Sequence, residues 1–280
     1  AVLERSHNSN SQPGKHPAFG SSHETFLGKS VQHSLRRKDP GKTLYLSEVE
    51  LNGEVSGGKI SVRDFAVIRF MYFDAVGTIL HPTPSVSEIY QERARKYGYF
   101  GELGQLKQRI REAFTRQEIL DGKLGWKTDD RREFERWKDI VSESFPEMPE
   151  LDACFLDLYE AFGTPEVWSL DPDLERWIDL AQSRNIGLGI ASNFDHRLRN
   201  LINFFPQLKS FSEVVISSEV GWRKPASKFY EIAMRRARVR PSQILFLGDN
   251  FRFDVEMPRQ AGMVSTLVGE FAAMPEAFLG

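Results

Sequence analysis

The chain has 280 residues, enough for one large domain or a core with a smaller companion. Its 37 Lys and Arg against 39 Asp and Glu leave it near neutral, which argues against nucleic-acid binding driven by phosphate contacts. No apolar run approaches the length that crosses a bilayer, the N-terminal AVLERSHNSN lacks the apolar centre of a secretory signal, and the lone Cys154 cannot close an internal disulfide. No membrane association is expected, and a reducing, cytoplasmic setting is.

Residues 1–43 are rich in Ser, His, Gly, Lys and Asn and show no period, so they read as disordered. Arg36-Arg37-Lys38 within them reads as a solvated charge run. Residues 44–63 alternate in part around Asn52-Gly53 and Gly57-Gly58, which fits a short hairpin or an extended linker equally. The first firm element is VIRFMYFDAVGTIL, residues 67–80. An apolar, aromatic-rich run ends in Asp74, and Gly77-Thr78 turn the chain. This is the pattern of a buried strand that delivers a carboxylate to its C-terminal end, although a turn-capping Asp writes the same local sequence.

Ser85 followed by Glu88 marks a helix start. Helical periodicity then runs in blocks over 86–97, 103–120, 129–144 and 149–162, punctuated by Gly98, Gly101, Gly122, Gly125 and Pro146. The block is long enough for a small helical bundle. Its charged rows, QERARK and DDRREFERWKD, read as solvated faces; Phe134, Trp137, Cys154 and Phe155 read as core. Trp126, in the Gly-rich turn DGKLGWK, reads as packing with a substrate-facing role as the alternative.

From Pro172 helices and strands alternate. Helices are expected over 173–184, 196–204 and 226–238, strands over 186–191, 213–217, 244–247 and 264–268, and a loop with a short helix over 251–261. Such alternation with short connections defines an α/β fold with a Rossmann-like, doubly wound, mostly parallel sheet. There is no P-loop and no dinucleotide fingerprint. Polar groups follow the strands at Asp74, Ser192-Asn193, Lys224 and Asp249 with Asp254, and sheet geometry gathers strand ends. Carboxylates there suit a hard cation such as Mg²⁺. The cation and Lys224 neutralise a phosphoryl group, and one carboxylate is free to attack phosphorus.

The motifs FDAVGTIL, ASN, VGWRKP and LGDNFRFDVEMPRQAGM, in that order, resemble the four motifs of the haloacid dehalogenase-like hydrolase superfamily over about residues 67–269. SNFDHRL resembles the subgroup whose helical cap follows the first motif. The resemblance implies an N-terminal segment at 1–63, an α/β core at 64–83 and 166–280, and an inserted helical cap at 84–165 that selects the substrate. It implies Asp74 as nucleophile and metal ligand, Val76 as a ligand through its carbonyl, and Asp249 and Asp254 as further Mg²⁺ carboxylates. It implies Thr78, Ser192, Asn193 and Lys224 as the phosphate-binding set, with Lys224 also catalytic and Asn193 orienting the strand-end loop. Asp254 also reads as a helix N-cap, a compatible role. The implied activity is Mg²⁺-dependent hydrolysis of a small phosphorylated metabolite through an aspartyl-phosphate.

One position departs from the pattern. Family phosphatases carry a second Asp two residues after the nucleophile, which protonates the leaving oxygen and then activates water. Here it is Val76. Loss of a positioned acid–base group costs on the order of 10²–10⁴ in rate. Three readings follow: a slow or selective phosphatase, with His81 and His196 as the nearest substitute acids; a phospho-ligand binder without turnover; or a metal-independent dehalogenase-type hydrolase. Retention of both Asp249 and Asp254 weighs against the third.

Overall fold

The computed structural model describes residues 67–273, so the expectations for 1–63 lie outside the described residues. Strand β1, Phe70–Phe73, is buried at every position, as a central parallel strand covered on both faces must be. A tight turn leads to β2, Leu80–Pro82. Four helices follow: α1 Val86–Arg95, α2 Leu103–Lys123, α3 Asp130–Ser144 and α4 Leu151–Ala161. The expected Ser85–Glu88 cap is present, the Ser85 amide donating to Glu88 Oε2 at 3.0 Å. Asp129 caps α3 by accepting from the Arg132 amide at 2.7 Å.

The chain returns through β3, Trp168–Leu170, to α5 Leu174–Ser183, β4 Gly187–Ser192, α6 Arg197–Phe204, β5 Glu213–Ile216 and the short α7 Ser217–Val220. Then come α8 Ser227–Ala237, β6 Ile244–Gly248, α9 Met257–Gln260 and β7 Val264–Leu267. The five-stranded sheet has the order β5-β4-β1-β6-β7 with every pair parallel. Among the described residues no helix is long and apolar enough to cross a membrane.

Side-chain alternation along β1 separates two cores. Met71 and Phe73 join Leu245, Leu247, Trp177 and Phe211 on one face. Phe70 and Tyr72 join Phe246, Phe229, Tyr230 and Ala233 on the other. Helices therefore cover both faces, α5 on one and α8 on the other, the doubly wound arrangement the alternation pattern implied.

Three local expectations are corrected. No strand is expected past residue 80 before the helix at 86, but β2 pairs antiparallel with β3, Leu80 opposite Leu170 and Pro82 opposite Trp168. The partner lies far along the chain and a three-residue edge ribbon tolerates Pro82, so no local signal marks it. The charged row of α3 is mostly a solvated face, as expected, but Glu133 and Arg136 within it are buried. Phe134, expected in the core, is partly exposed and packs edge-on against Phe155 and Tyr159 at centroid distances of 4.9 and 5.0 Å. Cys154 is buried as expected.

Candidate active site at the strand ends

The register sets Phe73 of β1 beside Ile190 of β4 and Leu247 of β6. One residue further on, the three chains present Asp74, Ala191-Ser192 and Gly248-Asp249 side by side. The Asp74 amide donates to the Leu247 carbonyl at 2.8 Å, which extends the ladder to the carboxylate itself.

A turn and two close approaches build the carboxylate cluster. The amides of Ile79 and Leu80 both donate to the Ala75 carbonyl, at 3.0 and 2.9 Å, and Gly77 sits at φ +84°, a left-handed conformation that favours glycine. A Cβ at Gly77 would lie 2.3 Å from Asp249 Oδ2, and one at Gly248 would lie 2.2 Å from Asp254 Oδ2. The two glycines leave the space in which the carboxylates sit. Gly248→Ala is expected to cost about 1–3 kcal/mol, because strand backbone and a buried carboxylate must both shift. The measurement is the thermal midpoint, and an unchanged midpoint would mean that the contact gives way freely.

Ligand oxygens of Asp74, Asp249 and Asp254 lie within 4.8 Å of one another. Lys224 Nζ donates to Asp74 Oδ1 at 2.6 Å and to Asp254 Oδ1 at 2.7 Å. Lys224 thus bridges two of the three carboxylates, and the four groups together carry a formal charge of −2. Burial works against the Lys224 charge, but Asp254 and Asp74 outweigh it and hold the ammonium above the ordinary lysine value. Burial and the Asp74 charge push Asp254 up to about 6 against the pull of Lys224. Partial desolvation and Asp74 likewise push Asp249 up. This set is short of positive charge, and a hard divalent cation fits its oxygen donors.

Asn193 holds the Lys224 loop. Its Nδ2 donates to the Lys224 carbonyl at 3.0 Å and its Oδ1 accepts from the Lys224 amide at 2.7 Å. Asp254 is not the cap of its turn, contrary to one reading of it. Asn250 is that cap, accepting from the Phe253 amide at 3.0 Å, while Asp254 Oδ2 accepts from the Asn250 amide at 3.0 Å. One carboxylate oxygen is thereby fixed by backbone and the other by Lys224.

A cavity of about 390 Å³ opens over this cluster, lined by Asp74, Val76, Ser192, Asn193, Lys224, Asp249 and Asp254 among others. Thr78 is not on its wall. It is fully buried and its hydroxyl has no hydrogen-bond partner among the described residues. Neither expected substitute acid lines the cavity. His81 Nε2 lies 2.8 Å from Asp171 Oδ2, and His196 Nδ1 lies 3.3 Å from Asp130 Oδ1. Trp126 does line it, at φ +62°, with its carbonyl accepting from the Arg223 amide at 2.8 Å. The Trp126 amide donates to the Asp121 carbonyl at 2.8 Å, so the left-handed residue closes the C-terminal end of α2.

Sequence reasoning missed a set of buried cations on the same wall: Arg136, Arg197 and Arg223. Arg197 pairs with the fully buried Asp195 at 2.8 Å. The local sequence of Arg136, FERW, looks like ordinary helix surface. The partners of Arg136 and Arg223, among them Asp121, lie elsewhere in the chain.

The site is thus a parallel sheet whose central strand ends in a carboxylate, with two more carboxylates and a lysine gathered from neighbouring elements. The family model for haloacid dehalogenase-like hydrolases matches residues 68–262, and the chain belongs to that family. It is 29% identical over 206 residues to the human haloacid dehalogenase-like hydrolase domain-containing protein 3, covering 72% of this chain and 82% of that one. Over 97 residues it is 35% identical to a glyceraldehyde 3-phosphate phosphatase of Methanothermobacter thermautotrophicus, covering 32% of this chain and 40% of the other. Among solved structures, a HAD-hydrolase of Bacillus subtilis bound to magnesium superposes with a TM-score of 0.60 at 16% identity, over 71% of this chain and 88% of that one. L-2-haloacid dehalogenases share the fold as well.

Proposed function

We propose that this hydrolase is a Mg²⁺-dependent phosphatase that acts on a small phosphorylated metabolite through an aspartyl-phosphate on Asp74. The observation that carries the reading is the cluster of three carboxylates with Lys224 bridging two of them, a site short of positive charge at the end of the central strand. Asp74, Asp249, Asp254 and the Val76 carbonyl are the proposed ligands. Bound there, Mg²⁺ supplies neutralisation of phosphoryl charge.

The chain's own groups do the rest. Lys224 holds Asp74 at 2.6 Å and orients its carboxylate. An Asp74 oxygen forms a bond to phosphorus as the bond from phosphorus to the leaving oxygen breaks, its electron pair departing with that oxygen. Water then attacks phosphorus, restoring the carboxylate and releasing inorganic phosphate. Ser192, at the end of β4 on the cavity wall, is the proposed hydroxyl donor to the phosphoryl oxygens. The α1–α4 block is the proposed cap, over residues 84–165, and its residues on the cavity wall exclude water and select the substrate. A cytoplasmic location belongs to the same reading and is supported by the single, unpaired Cys154.

Phosphate release from a panel of alkyl, aryl and acyl phosphates tests this. Release is expected with Mg²⁺ and is expected to vanish with a chelator. Equal release in the chelator would remove the metal from the proposal. Val76 favours a second reading, a phospho-ligand binder without turnover, whose signature is Mg²⁺-dependent binding of the same esters with no phosphate released. The pairing of Asp249 and Asp254 with Asp74 supports a cation site over a metal-independent dehalogenase.

A further inference from the structure

The cavity has a second kind of lining. Phe114, Trp126, Trp137, Phe162, Trp168 and Phe194 share its wall with Asp74 and Lys224. A cavity of about 390 Å³ holds one small organic molecule, and aromatic walls favour a flat, apolar body.

Beside these rings lies a buried charge cluster. Arg132 Nη2 donates to Asp121 Oδ1 at 2.7 Å and Arg136 Nε to Asp121 Oδ2 at 2.9 Å. Arg223 pairs with Glu133 and stands 3.5 Å from Asp121 Oδ2. Three guanidiniums face two carboxylates, so the cluster holds one surplus positive charge. Three of its members, Asp121, Arg136 and Arg223, line the cavity. Arg136 is buried, with its guanidinium 5.6 Å from the Phe114 ring centroid and 5.9 Å from that of Trp137. Desolvation, and then repulsion from Arg223, push its pKa down to about 10, the mark of a cation with too little compensation.

Apart from Asp74, Asp249, Asp254 and Lys224, whose net −2 the proposed Mg²⁺ would balance, the other charges on this wall do not cancel the surplus. Glu118 has Arg252 at 3.7 Å, Arg197 is matched by Asp195, and Arg111 adds a further exposed cation. A surplus buried cation that lines a cavity gains most from an anion with the geometry of a carboxylate.

We propose that the substrate is an aryl phosphate carrying a second anionic group, a carboxylate, which Arg136 receives while the aromatic ring packs among Phe114, Trp126 and Trp137. This deepens the phosphatase reading and rests on it. An aryl leaving oxygen departs with little need of a proton, which is the demand that Val76 imposes.

The test compares kcat/KM for 4-carboxyphenyl phosphate, its neutral 4-carbamoyl analogue and phenyl phosphate, all with Mg²⁺. The carboxylate is expected to gain roughly 10- to 100-fold over the amide in the wild type. Arg136→Met is expected to narrow that ratio. If Arg136→Met does not fold, the wild-type ratio decides alone. Equal kcat/KM for all three compounds overturns the inference and leaves the phosphatase reading standing. If no compound releases phosphate, tryptophan quenching by 4-carboxyphenylphosphonate and phenylphosphonate separates the two claims. Tighter binding of the carboxylate compound upholds the pocket and ends the hydrolysis reading. Equal binding overturns the pocket.

Discussion

Asp74→Asn is expected to lower phosphate release by about 10⁴-fold or more while the protein stays folded. The amide is isosteric with the carboxylate but has no anionic oxygen to attack phosphorus. Its oxygen still accepts from Lys224, and Lys224 keeps its second contact, to Asp254 at 2.7 Å. The change also removes one charge from a cluster in which Asp74 pushes both Asp254 and Asp249 up. Self-repulsion therefore falls, and the thermal midpoint of the metal-free protein is expected not to drop. Phosphate release and a melting curve, measured side by side, check both halves. Activity equal to wild type would remove Asp74 from the mechanism. Lost activity with a collapsed midpoint would make its role structural.

Val76→Asp is expected to raise phosphatase activity by about 10²–10⁴-fold on alkyl phosphates. Val76 lines the cavity and is only half-buried, so a carboxyl there would reach the reacting groups. Set among Asp74, Asp249 and Asp254, a fourth carboxyl has its pKa raised and stays protonated longer, which suits an acid for the leaving oxygen. Aryl phosphates need that proton less and should gain less. The substitution places a polar group where Val76 packs against the core, at a cost of about 1–3 kcal/mol. The ratio of alkyl to aryl kcat/KM in the two proteins is the measurement. A flat ratio with flat activity would mean that another group already supplies the proton.

The strand ends were legible because each writes a local signature. An apolar run stops at Asp74, another at Ser192 and another at Gly248-Asp249, and parallel topology brings such ends together without any need to know the side-chain packing. The helices of the inserted block were legible for the same reason, since caps such as Ser85 with Glu88 and breakers such as Gly122 are local. What escaped depends on partners distant in the chain. The β2–β3 ribbon joins Leu80 to Leu170. Arg136 is buried by Asp121 and by the loop bearing Arg223, and nothing in RREFERW distinguishes it from a solvated helix face.

In the proposed reaction Asp74 carries the phosphoryl group. Val76 cannot activate water for the second step, so with an aryl phosphate the covalent enzyme should form faster than it breaks down. Acid quench of the enzyme with Mg²⁺ and phenyl phosphate, followed by peptide mass spectrometry, reads this directly. The expected result is one phosphoryl group on Asp74, on a large share of the enzyme, with a matching burst of phenol. A phosphoryl group on another residue, or steady phosphate release with Asp74 unmodified and no burst, would contradict it.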